Sequence, residues 1–535
     1  SLRIVEENVQ KDIYAINGIE RLVDPTNEAS GEDSAFTSAF RTGNNVNGGV
    51  NLQPGDEITY RLSYTIPTGD VENLRLTDYF PLPIFDVEDP AQTGSSSWTF
   101  DNNLEGSGNP ETTATILAAL ASGQITYGPN HTLHTVDGPY NPGILGNING
   151  SPESPYGGGA DSGIDATSAS LRIEWGDFNS TVNEPVELDV LVTVTVSDDP
   201  FADGLFLTNQ VQSGEGNTQS PDEERNANAI IQIVLNQPIV DIFKGVVASD
   251  QFGSYIDVGE IDNPGDPTYV AGVDFASIGG DGFAGVISQE SIAEAIGGLN
   301  LTDPLLGLPD AGDTVRYAIV AQNTGRSDAF DVTVTDTIRG SYENNYADAA
   351  TLLASTNFKV YRGDGTELFE GTDYDLTWDN TTTEFTVELT DNFDNPGDDD
   401  DGGLSRGYNP SVDADVANGS NSVVILYDLT VDIDADSSST VTNTATLTHY
   451  AGTEDGPDHT DPTNPTDDAE VEIAPPVVAK TLVSTEIDGT NNAESNQAVI
   501  GEKVNYQLRI TIPEGETNSV VINDVFWLNN IEYFI

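Results

Sequence analysis

Residues 312–317 read Gly-Asp-Thr-Val-Arg-Tyr, and the chain contains three copies of this pattern, in which a tyrosine follows four residues after an acid. The copies are Gly55-Asp56 with Tyr60, Gly312-Asp313 with Tyr317, and Gly501-Glu502 with Tyr506. An alternating apolar and polar stretch follows each copy and ends on an aspartate, 22, 23 and 22 residues after the acid. Alternation with a period of two is typical of a half-buried strand. The repeat therefore predicts three copies of one β-structured unit.

The strands that flank this pattern repeat as well. Each copy begins with a strand that carries a lysine, and these lysines are Lys11, Lys244 and Lys480. The chain has only five lysines, so three of them at one repeated position form an informative pattern. The first two copies also share a closing strand, in which Asn209 and Asn443 each follow a threonine.

The repeats divide the chain into three units, 1–237, 238–475 and 476–535. Short strands separated by Gly, Pro, Asn and Asp favour an all-β fold of tandem Ig-like β-sandwiches, joined by short proline-containing linkers. The third unit reaches Ile535 before a closing strand, so we expect it to be a partial unit that is unstable alone, with the parent chain continuing. Long loop insertions separate the shared strands, and their Ala-rich segments predict short helices at 112–121, 289–296 and 346–355.

Composition excludes several classes of function. Aspartate and glutamate number 89 against 18 lysines and arginines, a net charge of −71, which disfavours nucleic acid and anionic membranes as partners. No apolar run is long enough to cross a bilayer, so we expect no direct membrane insertion of this chain. The absence of cysteine excludes disulfides and thiol chemistry. These features favour a secreted, cell-surface protein in a medium that contains salt or calcium.

A lysine, an aspartate and an asparagine recur together. The trios are Lys11, Asp78 and Asn209 in the first unit and Lys244, Asp336 and Asn443 in the second, with Lys480 and Asp524 as equivalents in the third. If the first and closing strands lie side by side, each lysine meets its asparagine inside the core. Burial lowers the pKa of a lysine towards the neutral amine and raises that of a carboxyl group. The amine then attacks the carboxamide, ammonia leaves, and a Lys–Asn isopeptide bond remains.

Other interpretations of these residues stay open. The acid can instead come from a later strand, for which Asp189 and Asp428 are candidates. A lysine at a strand start is often a solvated charge, and an asparagine after threonine often caps a turn.

The pattern Lys…Gly-Asp-x-x-x-Tyr…Asp-Thr…Thr-Asn-x-Ala resembles the isopeptide-forming domains of fimbrial shaft proteins. It also resembles the related Ig-like repeats of giant bacterial and archaeal surface proteins. The second unit matches best, whereas Asp78 in the first unit is followed by Tyr79 rather than by threonine. The resemblance covers the strand framework of two units and half of a third, and none of the insertions. It implies the Ig-like fold and the internal bond.

Acidic loops form a second candidate site. The densest run comprises Asp394, Asp398, Asp399, Asp400 and Asp401. Clustered carboxylates suit calcium, although the spacing does not match an EF-hand loop. A solvated charge run is the alternative interpretation. Calcium is the only cofactor that the sequence suggests.

These observations favour a structural extracellular protein: an adhesin stalk, a filament subunit or a surface-layer component. Its partners would be neighbouring copies or further repeats of the same protein, together with surface glycans. The alternative is a calcium-dependent carbohydrate- or partner-binding module of a secreted protein. The sequence contains no nucleophile elbow, phosphate loop or dinucleotide fingerprint, so the only reaction expected is the autocatalytic crosslink.

Overall fold

The computed structural model describes most of the repeated framework and parts of the insertions. The described residues are 8–21, 50–66, 70–81, 84–86, 97–100, 125–127, 163–165, 170–180, 186–217, 220–250, 256–257, 273–275, 282–288, 296, 299–302, 307–344, 346–391, 393, 403–409, 414–460, 464–486, 501–528 and 531–534. Strands dominate them, so the prediction of an all-β fold is confirmed. Within these residues, no helix combines the length and the apolar character needed to cross a bilayer.

The first sandwich consists of two sheets. Its strands are β1 (Asn8–Ile16), β2 (Ile19–Glu20), β3 (Val50–Leu52), β4 (Glu57–Ile66), β5 (Val71–Tyr79), β6 (Phe85–Asp86), β7 (Ser97–Phe100), β8 (Ile125–Tyr127), β9 (Gly163–Asp165), β10 (Ser170–Ser180), β11 (Val186–Val196), β12 (Leu205–Asn217) and β13 (Ser220–Leu235). One sheet has the order β2-β1-β4-β11-β6, with β7 also on β11. The other has the order β3-β13-β12-β5-β10-β8, with β9 also on β10. The apolar sides of both sheets form one core.

The second sandwich repeats this plan. Its elements are β14 (Val240–Ser249), β15 (Ile256–Asp257), β16 (Thr314–Asn323), β17 (Phe330–Thr337), α1 (Ala349–Ser355), β18 (Lys359–Arg362), β19 (Glu367–Leu368), β20 (Tyr374–Asp379), β21 (Glu384–Leu389), β22 (Tyr408–Asn409), β23 (Ala414–Asp415), β24 (Ser422–Thr430), β25 (Thr440–Ala451) and β26 (Thr466–Glu472). The sheets are β15-β14-β16-β24-β18-β19 and β20-β21-β17-β25-β26, and β22 pairs with β23. A larger apolar core lies between the two main sheets.

The third unit contributes two strand pairs among the described residues. They are β27 (Val477–Thr485) with β28 (Val504–Thr511), and β29 (Val525–Leu528) with β30 (Ile531–Phe534). Apolar side chains of this unit, including Val478 and Leu508, are exposed.

One of the three predicted helices falls within the described residues. Helix α1 begins at Ala349, three residues after the predicted start, because Asp348 caps it: the Asp348 carboxylate accepts a hydrogen bond of 2.8 Å from Thr351 N. Segment 112–121 lies outside the described residues, and of segment 289–296 only Ile296 is described.

The strand that carries the lysine pairs with the tyrosine strand in one register throughout the chain. The cross-strand partners are Lys11 with Leu62, Lys244 with Ile319, and Lys480 with Leu508, in each case two residues beyond the motif tyrosine. A β-bulge follows two residues after each lysine. Because residues two apart on a strand share a face, each lysine lies diagonally beside its tyrosine.

The Gly-Asp element is a turn. Gly55, Gly312 and Gly501 have φ angles of 80°, 89° and 89°, in the left-handed region that favours glycine. The Asp56 carboxylate accepts a hydrogen bond of 2.8 Å from Gln53 N, and Asp313 caps its own turn in the same way. The turn thereby fixes where the tyrosine strand begins.

The first and closing strands do not lie side by side, and this part of the sequence interpretation was wrong. In the first sandwich β1 pairs with β2 and β4, whereas β12 pairs with β13 and β5. In the second, β14 pairs with β15 and β16, whereas β25 pairs with β17 and β26. The closing strand therefore joins the sheet of the aspartate strand, and it faces the lysine strand across the core.

Polar contacts join the two sandwiches beside the Gln237-Pro238 linker. Asp203 accepts a hydrogen bond of 2.9 Å from Gln237 N and forms an ion pair of 2.8 Å with Arg326 of the second sandwich. Nearby, a ring nitrogen of His459 lies 2.9 Å from the carbonyl oxygen of Asp198. One carboxylate thus ties the linker to both sandwiches.

We expect Asp203→Ala to loosen this junction, because it removes the acceptor for Gln237 N–H and the partner of Arg326. Loss of a charged partner costs about 1–3 kcal/mol, so Gln237 N–H should exchange with solvent roughly 10- to 100-fold faster. Hydrogen exchange resolved at the linker measures this. Asp199→Ala, at an exposed neighbouring position, removes the same charge and should leave the rate unchanged. If Gln237 N–H exchanged at the same rate in Asp203→Ala and Asp199→Ala, Asp203 would not be the group that holds the junction.

Candidate functional site: two buried lysine–aspartate pairs

The aspartate and the asparagine of each trio are diagonal neighbours on one sheet. Asp78 lies opposite Val211, two residues beyond Asn209. The second sandwich has the same offset, since Asp336 lies opposite the residue two positions beyond Asn443. Both side chains of a trio therefore share one face of the sheet, which is the face turned to the core.

The lysine reaches the aspartate from the opposite sheet. Lys11 Nζ lies 2.5 Å from Asp78 Oδ1, and Lys244 Nζ donates a hydrogen bond to Asp336 Oδ2. All four side chains have a relative exposure of 0%. Lys11 Nζ also lies 3.9 Å from the centroid of the Tyr60 ring, a cation–π contact.

Burial shifts both members of each pair towards their neutral forms. It lowers the pKa of Lys11 and that of Lys244 to about 8, against the neighbouring carboxylate, which raises it. It raises the pKa of Asp78 and that of Asp336, against the neighbouring ammonium group. Since the two groups interact strongly, each pair titrates as a unit that shares one proton.

A tyrosine connects the second trio. Tyr427 Oη accepts hydrogen bonds from Lys244 Nζ at 2.9 Å and from Asn443 Nδ2 at 3.0 Å, and it donates one to Asp336 Oδ2. The lysine and the asparagine are therefore within two hydrogen-bond lengths of each other. Tyr427 belongs to no repeated sequence pattern, and the one feature that places it at the site is the strand register, in which it lies directly opposite the motif tyrosine Tyr317.

Several buried polar atoms of the trios have no hydrogen-bond partner among the described residues. They are Asp336 Oδ1 and Asn443 Oδ1 in the second sandwich, and both carboxamide atoms of Asn209 and the Tyr60 hydroxyl in the first. The Tyr60 hydroxyl and the Asn209 side chain nevertheless neighbour each other, and their interaction opposes the rise in the Tyr60 pKa that burial causes. Unsatisfied buried polar atoms cost free energy, so both sandwiches keep these polar groups in the core at a cost in stability. A proton on Asp336 would convert one of two orphan acceptors into a donor.

The third unit forms the same pair in a more open setting. Lys480 Nζ lies 2.5 Å from Asp524 Oδ1 and 4.5 Å from the centroid of the Tyr506 ring. The side chains are 33% and 25% exposed. The lysine, the aspartate and the motif tyrosine thus assemble even where the core is not covered.

The alternative acids lie elsewhere or outside the described part. Asp428 forms an ion pair of 2.7 Å with Arg316. The backbone of Asp189 lies on β11 opposite Ser63, and its side chain is outside the described residues.

The predicted calcium ligands at 394–401 also lie outside the described residues. Among the residues that the structure describes, no group of three or more histidine, aspartate or glutamate side chains is placed to hold a metal ion.

Comparisons with known proteins return similar structures. No protein-family model and no curated protein sequence matches the chain. The C-terminal domain of an antigen I/II polypeptide from Streptococcus agalactiae is 9% identical, with 87% of this chain and 100% of that chain covered and a TM-score of 0.28. The corresponding domain from Streptococcus pyogenes is 12% identical, with 86% and 98% covered and a TM-score of 0.28.

The major pilin subunit of Bacillus cereus is also similar, at 12% identity, with 65% of this chain and 75% of that chain covered and a TM-score of 0.23. At these identities and TM-scores, what this chain does rests on its own residues.

Proposed function

We propose that the chain is a structural part of an extracellular surface protein, such as an adhesin stalk, a filament subunit or a surface layer. Its units, 1–237, 238–475 and 476–535, act as load-bearing modules, and the first two close internal Lys–Asn isopeptide bonds. The observation that carries the proposal is the fully buried lysine–aspartate pair that faces an asparagine in both sandwiches. Replacing a buried ion pair by apolar residues is often stabilising, so a purely structural role accounts poorly for two such pairs.

The bond would form in steps that the second sandwich illustrates. Lys244 Nζ gives a proton to the Asp336 carboxylate, and the neutral amine attacks Cγ of Asn443. The protonated Asp336 donates to the carboxamide oxygen as negative charge develops on it. The bond from Cγ to Nδ2 then breaks, ammonia leaves with one proton that Nζ has lost, and an amide joins Nζ to Cγ.

The position of the bond suits a protein under tension. It joins the first strand of a unit to the closing strand of the same unit, and it crosses from one sheet to the other. A pulling force that enters through the first strand would pass through a covalent bond, and the sheets would not separate. By analogy with a disulfide that encloses a long loop, the bond contributes on the order of 5 kcal/mol to stability.

Intact mass measures the crosslinks directly. The chain should be lighter than its sequence by the mass of two ammonia molecules. Lys244→Ala and Asp336→Ala should each prevent the loss of one ammonia molecule. The first variant lacks the nucleophile of the second unit, and the second variant lacks its acid. Both variants should also unfold at a lower temperature, since the second unit loses its internal isopeptide bond.

The matched control is Lys359→Ala, which removes a lysine whose side chain is 45% exposed and paired with Glu367. This variant should keep both mass losses. A wild-type mass equal to that of the unmodified sequence would refute the crosslinks in both units.

The rate of bond formation should depend on pH with a maximum. The reactive form needs a neutral amine and a protonated carboxyl, so the pair must hold one proton. Because the pKa of Lys244 is lowered to about 8, the pair loses that proton above pH 8, and the rate should fall there by about tenfold per pH unit. At acid pH both groups hold protons, and the rate should fall again.

Chains made by cell-free translation, moved to buffers of different pH and quenched at intervals, give these rates by mass spectrometry. A rate that rises through pH 8 and then stays constant would show that only lysine deprotonation matters, with no role for a protonated Asp336.

A second candidate function is a calcium-dependent carbohydrate- or partner-binding module. The observation that favours it is the net charge of −71 with the acidic run at 394–401. If specific calcium sites exist, millimolar calcium chloride should raise the melting temperature more than sodium chloride at the same ionic strength. Equal effects would leave only charge screening and would exclude the specific sites.

A further inference from the structure

Tyr427 is held in place by other aromatic rings. Its ring stacks on Tyr317, with centroids 5.6 Å apart and an interplanar angle of 18°. Phe358 stacks on it at 6.1 Å, and Phe385 meets it edge-on at 5.2 Å. Close packing of this kind leaves a side chain little freedom, so the hydroxyl occupies a set position.

That position is between Nδ2 of Asn443, which would leave Cγ in the reaction, and Nζ of Lys244, which would become bonded to Cγ. Nζ of Lys244 must lose a proton as it becomes an amide, and Nδ2 of Asn443 must gain one before it leaves as ammonia. The Tyr427 hydroxyl lies 2.9 Å from the first and 3.0 Å from the second. A group that transfers a proton in one step needs this hydrogen-bond distance to both nitrogens.

The first sandwich has no hydroxyl at the register position of Tyr427. The strand registers align Tyr317 with Tyr427 in the second sandwich and Tyr60 with Val192 in the first. Val192 is fully buried and apolar. The hydroxyl beside Asn209 is instead that of the motif tyrosine Tyr60, to which its carboxamide makes no hydrogen bond of ordinary geometry, whereas the carboxamide of Asn443 is bonded to Tyr427.

We propose that the Tyr427 hydroxyl relays a proton from Lys244 Nζ to Asn443 Nδ2 during crosslinking, an inference that rests on the proposed bond. In the tetrahedral adduct the phenol turns its proton from Asp336 to Nδ2 and takes one from Nζ. The bond from Cγ to Nδ2 breaks, ammonia departs, the carbonyl re-forms, and Tyr427 ends as it began. Throughout these steps the protonated Asp336 donates a hydrogen bond to the carbonyl oxygen and keeps its own proton.

The ionisation of the phenol suits a relay. Burial raises the pKa of Tyr427 well above its ordinary value, and the nearby Asp336 raises it further. The phenol therefore stays neutral, and a neutral hydroxyl can accept one proton while it donates another.

The two crosslinks of one chain provide an internal comparison. Full-length chains from cell-free translation are quenched at intervals and digested, and the peptides that carry Lys11–Asn209 and Lys244–Asn443 are quantified separately. In the wild type the second bond should form faster than the first. Tyr427→Phe should slow the second bond by at least about 100-fold, the usual contribution of a positioned acid or base, and leave the first unchanged.

Tyr342→Phe is the matched control, because its buried hydroxyl is bonded to that of Tyr317, 2.7 Å away, and to no member of the trio. This variant should crosslink at the wild-type rate. If Tyr427→Phe fails to fold, 3-fluorotyrosine at position 427 decides, since a more acidic phenol changes the rate of a relay and leaves that of a spacer unchanged.

The outcomes separate the two proposals. A second bond that forms at the wild-type rate in Tyr427→Phe overturns the relay and leaves the crosslink intact, as does an unchanged rate with fluorotyrosine. If no bond forms in either unit of the wild type, the proposed function itself fails.

Discussion

The ion pair between the first-strand lysine and the aspartate of the facing sheet is the constraint around which each unit is organised. This ion pair joins the two sheets across the core, and in the first two units both of its side chains have a relative exposure of 0%. Removing both charges from water costs free energy, so the surrounding residues must exclude water and hold both groups in place. The tyrosine below each lysine and the bulge beyond it recur in all three units, as expected for parts that serve this contact.

The repeated residues made much of this site predictable from the sequence. Constant spacing located Lys244, Asp336 and Asn443, and the structure brings all three around one hydroxyl. The sequence did not reveal which strands face each other, because an alternating pattern defines the buried face of a strand and not its neighbours. Tyr427 was missed for the same reason: it belongs to no repeated pattern, and only the register of β24 against β16 places it at the site.

The two sandwiches share a backbone plan but differ in the polar groups that they bury. On the face of the sheet turned away from the site, the second has an Arg316–Asp428 ion pair at the register positions where the first has Thr59 and Thr193, whose hydroxyls lie 2.9 Å apart. The second also has the tyrosine where the first has Val192. One framework therefore accepts a charged or a neutral cross-strand pair on its outer face and a tyrosine or a valine on its inner face.

The places of the lysine and the asparagine also determine how far the chain can be drawn out. With both bonds closed, the backbone between Lys11 and Asn209 and that between Lys244 and Asn443 carry no load. Only the 34 residues between Asn209 and Lys244 can unravel between the two bonds, because the last strand of one unit leads directly into the first strand of the next. Fully extended, that segment is about 120 Å long. A tandem array of such units would be a nearly inextensible tether, with its compliance confined to the last strand and the linker of each repeat.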